Sequence, residues 1–173
     1  LFIRAHMKRS NESPGSRILS QWNHLSRLPG GKALFSYLVG RSAPYTGTLG
    51  ARVQDLTPGH CRVVLRDRRR VRNHLASVHA VALTNLGEMA SGLAMLSGLS
   101  TQIRAIVVRL DTEYLKKGRG RLTAECRCST PEVSHVTEHR IQAEIRDRDD
   151  DLVARVTATW RLAPRAGHQS RVV

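Results

Sequence analysis

One carboxylate stands out in this chain because of where it falls in the sequence. Glu88 is the only acidic residue between Asp67 and Asp111, and it lies in a run of apolar and small residues from Ala80 to Leu96. A helix over this run has no polar face, so we expect it to be buried on all sides. An ionised carboxylate there is costly unless it is paired or faces a cavity. Glu88 is therefore a candidate site residue, and the alternative is a carboxylate paired with one of the many arginines.

A histidine and an asparagine precede this helix at short, defined distances. Asn73 lies six residues before His79, and His79 lies nine residues before Glu88. Nine residues of continuous helix turn through about 900°, so the ring and the carboxylate point to opposite sides and are not expected to meet within one subunit. Simpler roles are open to both polar residues: Asn73 can stabilise a turn, and His79 can cap the helix or lie in an interface.

The spacing and residue types resemble a motif of the hotdog-fold thioesterases, most closely the branch typified by the phenylacetate-pathway thioesterase. That branch has Asn-x-x-Gly-Thr-x-His-Gly-Gly, and its helical Asp or Glu lies nine residues after the His. This chain reads Asn-His-Leu-Ala-Ser-Val-His-Ala-Val over 73–81. Ala80 and Val81 replace the paired glycines and add side chains where a thioester carbonyl must approach closely. The resemblance in layout covers roughly residues 44–162.

The resemblance implies hydrolysis of an acyl thioester carried by coenzyme A or an acyl carrier protein. It implies no metal or redox cofactor, coenzyme A being part of the substrate. Glu88 would serve as base or nucleophile, and backbone N–H groups at the helix start would polarise the carbonyl. Asn73 would hold the water or the carbonyl, and His79 would orient the loop or bind the substrate. The predicted catalytic residues are Glu88, His79, Asn73 and Ala80, and the predicted substrate-binding residues are Val81, Thr84, Arg69, Arg70 and Arg72.

The resemblance also implies a site shared between subunits. The carboxylate of one subunit would face the His loop of another, in a homodimer or a dimer of dimers. Some relatives add a Ser or Thr on the strand after the helix, and Thr101 is the only rough match.

The chain carries a large excess of positive charge. Its 28 Lys and Arg against 14 Asp and Glu give a formal charge of +14, which favours anionic partners. A cluster of five arginines between Arg66 and Arg72 directly precedes the motif. Arginine forks suit the phosphates of coenzyme A or the acidic face of a carrier protein. A solvated turn, or a general compositional bias towards Arg, accounts for the same residues equally well.

The hydrophobic pattern predicts the elements that position these residues. Helical spacing covers residues 17–28 and, more briefly, 32–38. Period-two patterns predict strands over 49–54, 61–66, 106–114, 122–128, 139–145 and 154–162. The prediction is an α+β hotdog fold, in which a six-stranded antiparallel sheet wraps around the buried helix, with an extra N-terminal helical segment.

We predict a single domain over residues 17–163. Residues 1–16 are predicted to be a flexible leader, in part vector-derived, and residues 164–173 a flexible tail. Three cysteines without metal-type spacing indicate reduced thiols, and no apolar run is long enough to span a membrane. These features favour a cytoplasmic location without membrane insertion.

Two other functional classes remain as alternatives. The first is a hotdog-fold module that binds an acyl thioester without turning it over, which the missing glycines favour. The second is a basic nucleic-acid-binding protein, suggested by charge alone. Base stacking needs exposed aromatic side chains. Aromatic residues make up only 4% of the chain, and the strand patterns put Tyr114 and Trp160 on inward rows, so nucleic acid is ranked last.

Overall fold

The computed structural model describes residues 14–165, in which three helices precede a sheet that is interrupted by one long helix. The helices are α1 (Pro14–Leu25), α2 (Gly31–Ser42), α3 (Pro44–Leu49) and α4 (Ala80–Gly98), with a 3-10 turn at Arg69–Val71. The strands are β1 (Arg52–Thr57), β2 (His60–Arg66), β3 (Ile103–Tyr114), β4 (Arg121–Arg127), β5 (Thr137–Arg146) and β6 (Leu152–Pro164).

All six strands form one antiparallel sheet in the order β1-β2-β4-β5-β6-β3. Strands β1 and β3 therefore lie at its edges. Helix α4 contacts every strand of the sheet, and α1 and α3 pack on α4 from the other side. The predicted α+β architecture, a six-stranded antiparallel sheet around a central helix with N-terminal helices added, is confirmed.

The central helix is buried because its sequence offers apolar or small side chains on every side. Leu86, Ala90, Ala94 and Met95 have no exposed surface. Alternate residues of the central strands complete the core, as the period-two patterns predict. Glu88 is thus carried by a helix that is buried over most of its length.

The N-terminal region contains more helix than its sequence pattern predicts. Helix α1 begins at Pro14, so the predicted leader ends inside it, and residues 1–13 lie outside the described part. The strand predicted from residue 49 begins only at Arg52, because Pro44 opens the short helix α3 and Gly50 ends it in the left-handed conformation, with φ +58°. Ser36 Oγ accepts the N–H of Val53 at 2.9 Å and fastens α2 to β1.

Strand β3 departs from the predicted inward row. The prediction put Ile106, Val108, Leu110, Thr112 and Tyr114 on the core side. Before the bulge the inward residue is Val107 rather than Ile106, which is 64% exposed. After it, Thr112 and Tyr114 lie on the α4 side as predicted, although Tyr114 is 51% exposed at the edge of the sheet. A bulge between Val107 and Arg109 shifts the register with β6, and as an edge strand β3 has no neighbour on its other side. Trp160, by contrast, is buried as predicted.

The C-terminal end of the described chain is held by the sheet. Strand β6 extends to Pro164, and the N–H of Arg165 donates to Gln102 O at 2.7 Å. The rest of the predicted tail, residues 166–173, lies outside the described part. The three cysteines form no disulfide, and none of the described helices is long and apolar enough to cross a bilayer.

Candidate functional site

His79 is the N-cap of α4. Its ring Nδ1 accepts the backbone N–H of Val81 at 3.1 Å. The backbone N–H of His79 donates to Val71 O at 2.8 Å. A ring that accepts at Nδ1 carries its proton on Nε2, so this hydrogen bond assigns the tautomer. The exposed ring therefore offers an N–H donor to its surroundings while it caps the helix.

The first turn of α4 leaves one backbone donor free next to this cap. The N–H of Val81 is used by His79, whereas the N–H of Ala80 has no acceptor among the described residues. The side chain of Val81 is 51% exposed at the same place. Of the two N–H groups expected to polarise a carbonyl, the one at Ala80 is therefore available.

Asn73 holds the loop that leads to His79. Its Oδ1 accepts from the N–H groups of Leu75 (2.9 Å) and Ser77 (3.3 Å) and from Ser77 Oγ (3.1 Å). Its Nδ2 has no acceptor within the described part of the chain. The bend of this loop puts Ala76 at φ +53°, a left-handed conformation in which the related motif has glycine. Asn73 thus stabilises a turn with its oxygen and keeps its NH2 group free.

Glu88 lies in an apolar cavity of about 250 Å³. Side chains of α1, α2, α4 and β6 line this cavity, among them Ile18, Leu38, Leu96 and Trp160, and we refer to it as the Glu88 cavity. Burial raises the pKa of the Glu88 carboxyl above its usual value of 4.5. Its carboxylate has no hydrogen-bond or salt-bridge partner in the described residues. The alternative interpretation, a carboxylate paired with an arginine, therefore does not hold within residues 14–165.

A second unpaired polar group lies at the same cavity. Trp160 is 5% exposed, and its ring Nε1 is buried without a hydrogen-bond acceptor in the described structure. A cavity with apolar walls, a free carboxylate and a nearby unpaired donor is the usual setting of a ligand site.

His79 and Glu88 do not meet within one chain. His79 lines a separate cavity of about 560 Å³, together with Tyr45, Arg70 and Asn85, which we call the His79 cavity. Asn73 lines a third, of about 330 Å³. The separation agrees with the opposite directions expected for residues nine positions apart on one helix.

A hydroxyl cluster lies one helical turn before Glu88. Thr84 Oγ1 is 3.0 Å from Thr112 Oγ1 and 2.8 Å from Tyr114 Oη, so the three hydroxyl groups form one hydrogen-bonded set. Thr84 and Glu88, four residues apart, share a face of α4. Thr101 lies instead in the turn before β3. Thr112 lies on the α4 side of β3 as predicted, but nothing in the local sequence indicates that its hydroxyl meets that of Thr84.

The three predicted arginines differ in their surroundings. Arg72 binds both carboxylate oxygens of Asp67, at 2.6 and 3.2 Å, and this ion pair lowers the pKa of Asp67. Arg69 is exposed. Arg70 lines the His79 cavity and has no acidic partner within residues 14–165. Arg70 is therefore the one of the three whose position beside a cavity suits ligand binding.

A six-stranded antiparallel sheet around a buried helix, here one that carries a lone carboxylate, is the architecture of the hotdog fold. Residues 31–162 match the family model described as Domain of unknown function (DUF4442), and the chain belongs to this family. No curated protein is similar enough to the chain to count as a match.

Solved structures share the fold over most of their length. A structural-genomics protein is 27% identical, with a TM-score of 0.74 over 87% of this chain and 98% of its own. A Pseudomonas aeruginosa protein of unknown function, a probable thioesterase, is 21% identical, with a TM-score of 0.69 over 80% of this chain and 97% of its own. A mutant thioesterase from Staphylococcus aureus subsp. aureus Mu50 is 16% identical, with a TM-score of 0.62 over 70% of this chain and 99% of its own.

Proposed function

We propose that this protein hydrolyses acyl thioesters and that Glu88 carries the reaction. The observation that supports this most directly is the environment of its carboxylate, which is largely buried, has a raised pKa and lacks a partner among the described residues. Such a carboxylate is suited to proton transfer or to attack on a carbonyl. The apolar walls of the Glu88 cavity suit the acyl group.

Two routes lead to the same products. As a base, Glu88 takes a proton from water while the water oxygen bonds to the acyl carbon; the C–S bond then breaks, and the departing sulfur takes that proton from Glu88 and leaves as a thiol. As a nucleophile, the Glu88 carboxylate bonds to the acyl carbon and expels a thiolate; water then hydrolyses the mixed anhydride to the free acid and the Glu88 carboxylate, and the proton released converts the thiolate to the thiol. In both routes negative charge develops on the acyl oxygen, and a free N–H such as that of Ala80 would stabilise it.

We further propose that the site is completed by a second copy of the chain. His79 and Glu88 line different cavities, so a second subunit is needed to bring a capped helix start to the carboxylate. Edge strand β3 supports this, because it exposes the apolar side chains of Ile106, Val108 and Leu110 beside unpaired backbone groups. Antiparallel pairing of β3 with its copy would cover them in a homodimer, which could pair again as a dimer of dimers.

The spacing of the polar residues gives independent support. In the S. aureus thioesterase, structures carry alanine in place of a glutamine and of a glutamate fifteen positions apart. Asn73 and Glu88 are separated by the same number of positions. The motif over residues 73–88 supports assignment to the phenylacetate-pathway branch as part of this proposal. The free cysteines support a cytoplasmic location, which is also part of it.

A binding module without turnover is the second candidate. The observation that favours it is Val81, which exposes its side chain where the related motif has glycine and whose N–H is used by the cap. Both features reduce the space and the donors available to a thioester carbonyl.

Thiol release from short, medium, long and aromatic acyl-coenzyme A thioesters tests the proposal. We expect wild-type turnover to fall by about 10²-fold or more in Glu88→Gln. Glu132→Gln is the matched control, because Glu132 is an exposed glutamate without a partner in the described part of the chain, and it should retain full activity. Activity that survives in Glu88→Gln would remove Glu88 from the chemistry. Binding without thiol release from any substrate would favour the binding module.

A further inference from the structure

The cavity of about 690 Å³ between α2, α3 and β1 is lined by arginines. Arg41, Arg52 and Arg70 contribute to its wall, and no acidic side chain does. We call it the arginine cavity. All three arginines are exposed, and none has a salt-bridge partner in residues 14–165. Three free guanidinium groups at one cavity favour an anionic ligand, and their planar forks match phosphate oxygens.

The acidic residues close to this cavity in the sequence are already engaged. Asp55 lies 3.5 Å from His60 Nδ1, and Asp67 binds Arg72. The positive charge of the arginine cavity is therefore not neutralised by its neighbours along the chain, and an external anion is the remaining means of compensation.

A fourth arginine, Arg68, adds positive charge beside the arginine cavity. Arg68 Nη2 donates to the carbonyl oxygens of Leu49 (2.7 Å) and Gly50 (3.1 Å), while its Nε is buried without an acceptor in the described residues. Burial, and the like charges of Arg70, Arg66 and Arg52, lower its pKa. Arg68 thus fixes the end of α3 and adds charge beside the cavity.

A glycine allows these arginines to gather. Gly50 has φ +58°, and a Cβ at this position would lie 2.5 Å from Arg68 Nη2 and 2.6 Å from Arg70 Nη2. The left-handed backbone favours glycine here, and its missing side chain leaves room for both guanidinium groups against this turn. The arrangement is therefore built into the local backbone.

An exposed aromatic ring lies in the same wall. Tyr37 is 60% exposed and lines the arginine cavity from α2. An exposed tyrosine beside unpaired arginines is a combination that recognises a base together with its phosphates, because the ring stacks on the base. The volume of the cavity lies within the range that small-molecule and cofactor sites occupy.

The arginine cavity adjoins the Glu88 cavity of the same chain. Thr46 and Met89 line both, so one ligand can extend from the arginines to the carboxylate. A ligand that fits both has a phosphorylated nucleotide at one end and an apolar group at the other.

We propose that the arginine cavity binds the nucleotide end of coenzyme A, with its phosphates on Arg41, Arg52 and Arg70 and its base on Tyr37. The inference rests on the proposed function for the identity of the ligand. It goes beyond that function by choosing coenzyme A over a carrier protein, and by assigning nucleotide and carboxylate to the same subunit. Helices α2 and α3 then form the element that recognises coenzyme A.

Calorimetric titration of the full chain with free coenzyme A tests this site. We expect binding that weakens with rising salt and that falls by at least about tenfold in Arg52→Gln and in Arg70→Gln. Tyr37→Ala should also weaken it, and pantetheine, which has no phosphate, should bind poorly. Arg27→Gln is the matched control, because Arg27 is exposed on the loop before α2 and lies outside the cavity.

Several outcomes would overturn the assignment. Unchanged affinity in both arginine variants would do so, as would equal binding of pantetheine and coenzyme A. Inorganic phosphate that competes as strongly as coenzyme A would reduce the cavity to a general anion site. Loss of single-stranded RNA or acidic carrier-protein binding in the same variants, without coenzyme A binding, would assign the surface to a macromolecule instead.

The inference and the proposed function can fail separately. Coenzyme A binding that depends on these residues, without thiol release from any acyl thioester, would keep the nucleotide site and reject the hydrolase. Thiol release whose KM is unchanged in Arg52→Gln and Arg70→Gln would keep the hydrolase and reject the nucleotide site.

Discussion

His79 Nδ1 and the backbone N–H of Val81 are hydrogen-bonded at 3.1 Å, so a predicted site residue also caps the helix that carries Glu88. Replacing the ring therefore affects two properties. We expect His79→Ala to lower the free energy of unfolding by about 1 kcal/mol, because the cap is lost. His79→Asn should restore most of that stability, since asparagine is among the best N-cap residues.

Urea unfolding of both variants, alongside their thiol release, separates the two roles. If the imidazole serves the reaction, His79→Asn will be stable but slow. Full activity in that stable variant would leave His79 with the capping role alone.

Glu88 makes the stability of the protein depend on pH. Because burial raises its folded pKa, the stability that the protonated group contributes is complete below the unfolded value of 4.5 and is lost as pH rises through the folded value. Glu88→Gln, which cannot ionise, should therefore melt at a higher temperature than wild type near pH 8 and at nearly the same temperature near pH 4. Each kcal/mol of unfolding free energy that the substitution adds should raise the melting temperature by about 2–4 °C. A melting curve of Glu132→Gln that also changes with pH in this way would show that the effect is not specific to the buried site.

Two glycines of α4, Gly87 and Gly92, should change the stability in opposite directions when each is replaced by alanine. A Cβ on Gly87 would lie 2.5 Å from Val156 Cβ, so Gly87→Ala is expected to cost about 1–3 kcal/mol through overpacking. A Cβ on Gly92 would lie 3.4 Å from the Trp160 ring and 3.9 Å from Glu88 Oε1, which is ordinary contact. Gly92→Ala should gain up to about 1 kcal/mol from helix propensity.

The Gly92→Ala variant also reports on the Glu88 cavity. The added methyl group narrows the space beside the carboxylate, so turnover of the longest accepted acyl chain should fall relative to the shortest. Denaturant titration and the acyl-chain panel measure the two effects. Equal loss on every chain length would mean that the acyl group lies elsewhere.

Ala76 occupies a position that suits glycine. At φ +53° the backbone of an alanine is strained by about 1–2 kcal/mol, and glycine removes this strain. Glycine also loses more conformational entropy on folding, which offsets part of the gain. We expect Ala76→Gly to stabilise the protein by about 0.5 kcal/mol. The control is Ala33→Gly in helix α2, where the same change should destabilise by about 1 kcal/mol. Chemical denaturation distinguishes the two signs.

Strand β3 should govern the oligomeric state. Lysine at Ile106 and Leu110 together places charge on a free apolar edge, so the double variant is expected to be monomeric by light scattering where the wild type is a dimer. Thiol release should be lost together with dimerisation if the site is shared. A wild-type monomer at micromolar concentration that is fully active would contradict the shared site.

The elements that the sequence predicts well are those with one dominant pattern. Helix α4 is apolar all round over nearly its whole length, and strands such as β4 and β5 alternate cleanly, so their type and burial follow from local chemistry. The cap at His79 and the turn at Asn73 also follow from residue types that favour such roles.

The features that the sequence misses depend on contacts between distant segments. Ile106 alternates like a core residue, but a bulge in β3 turns its side chain away from the core. Tyr114 lies on the predicted side and is half exposed because β3 is a sheet edge. Thr84 and Thr112 are 28 positions apart, and nothing local indicates that their hydroxyl groups meet. The convergence of Arg41 with Arg52 and Arg70 likewise depends on how α2 and α3 fold back, which periodicity does not encode.

The walls of the Glu88 cavity come from two parts of the chain, one inside and one outside the range that matches the family. The carboxylate and Trp160 lie within residues 31–162, which match the family, whereas Ile18 and Gln21 of α1 precede that region. Substitutions in α1 can therefore reshape the chamber around the carboxylate without altering the framework that the family shares. If the proposed hydrolysis takes place here, a substitution in this first helix would change which acyl chains fit while Glu88 stays unchanged.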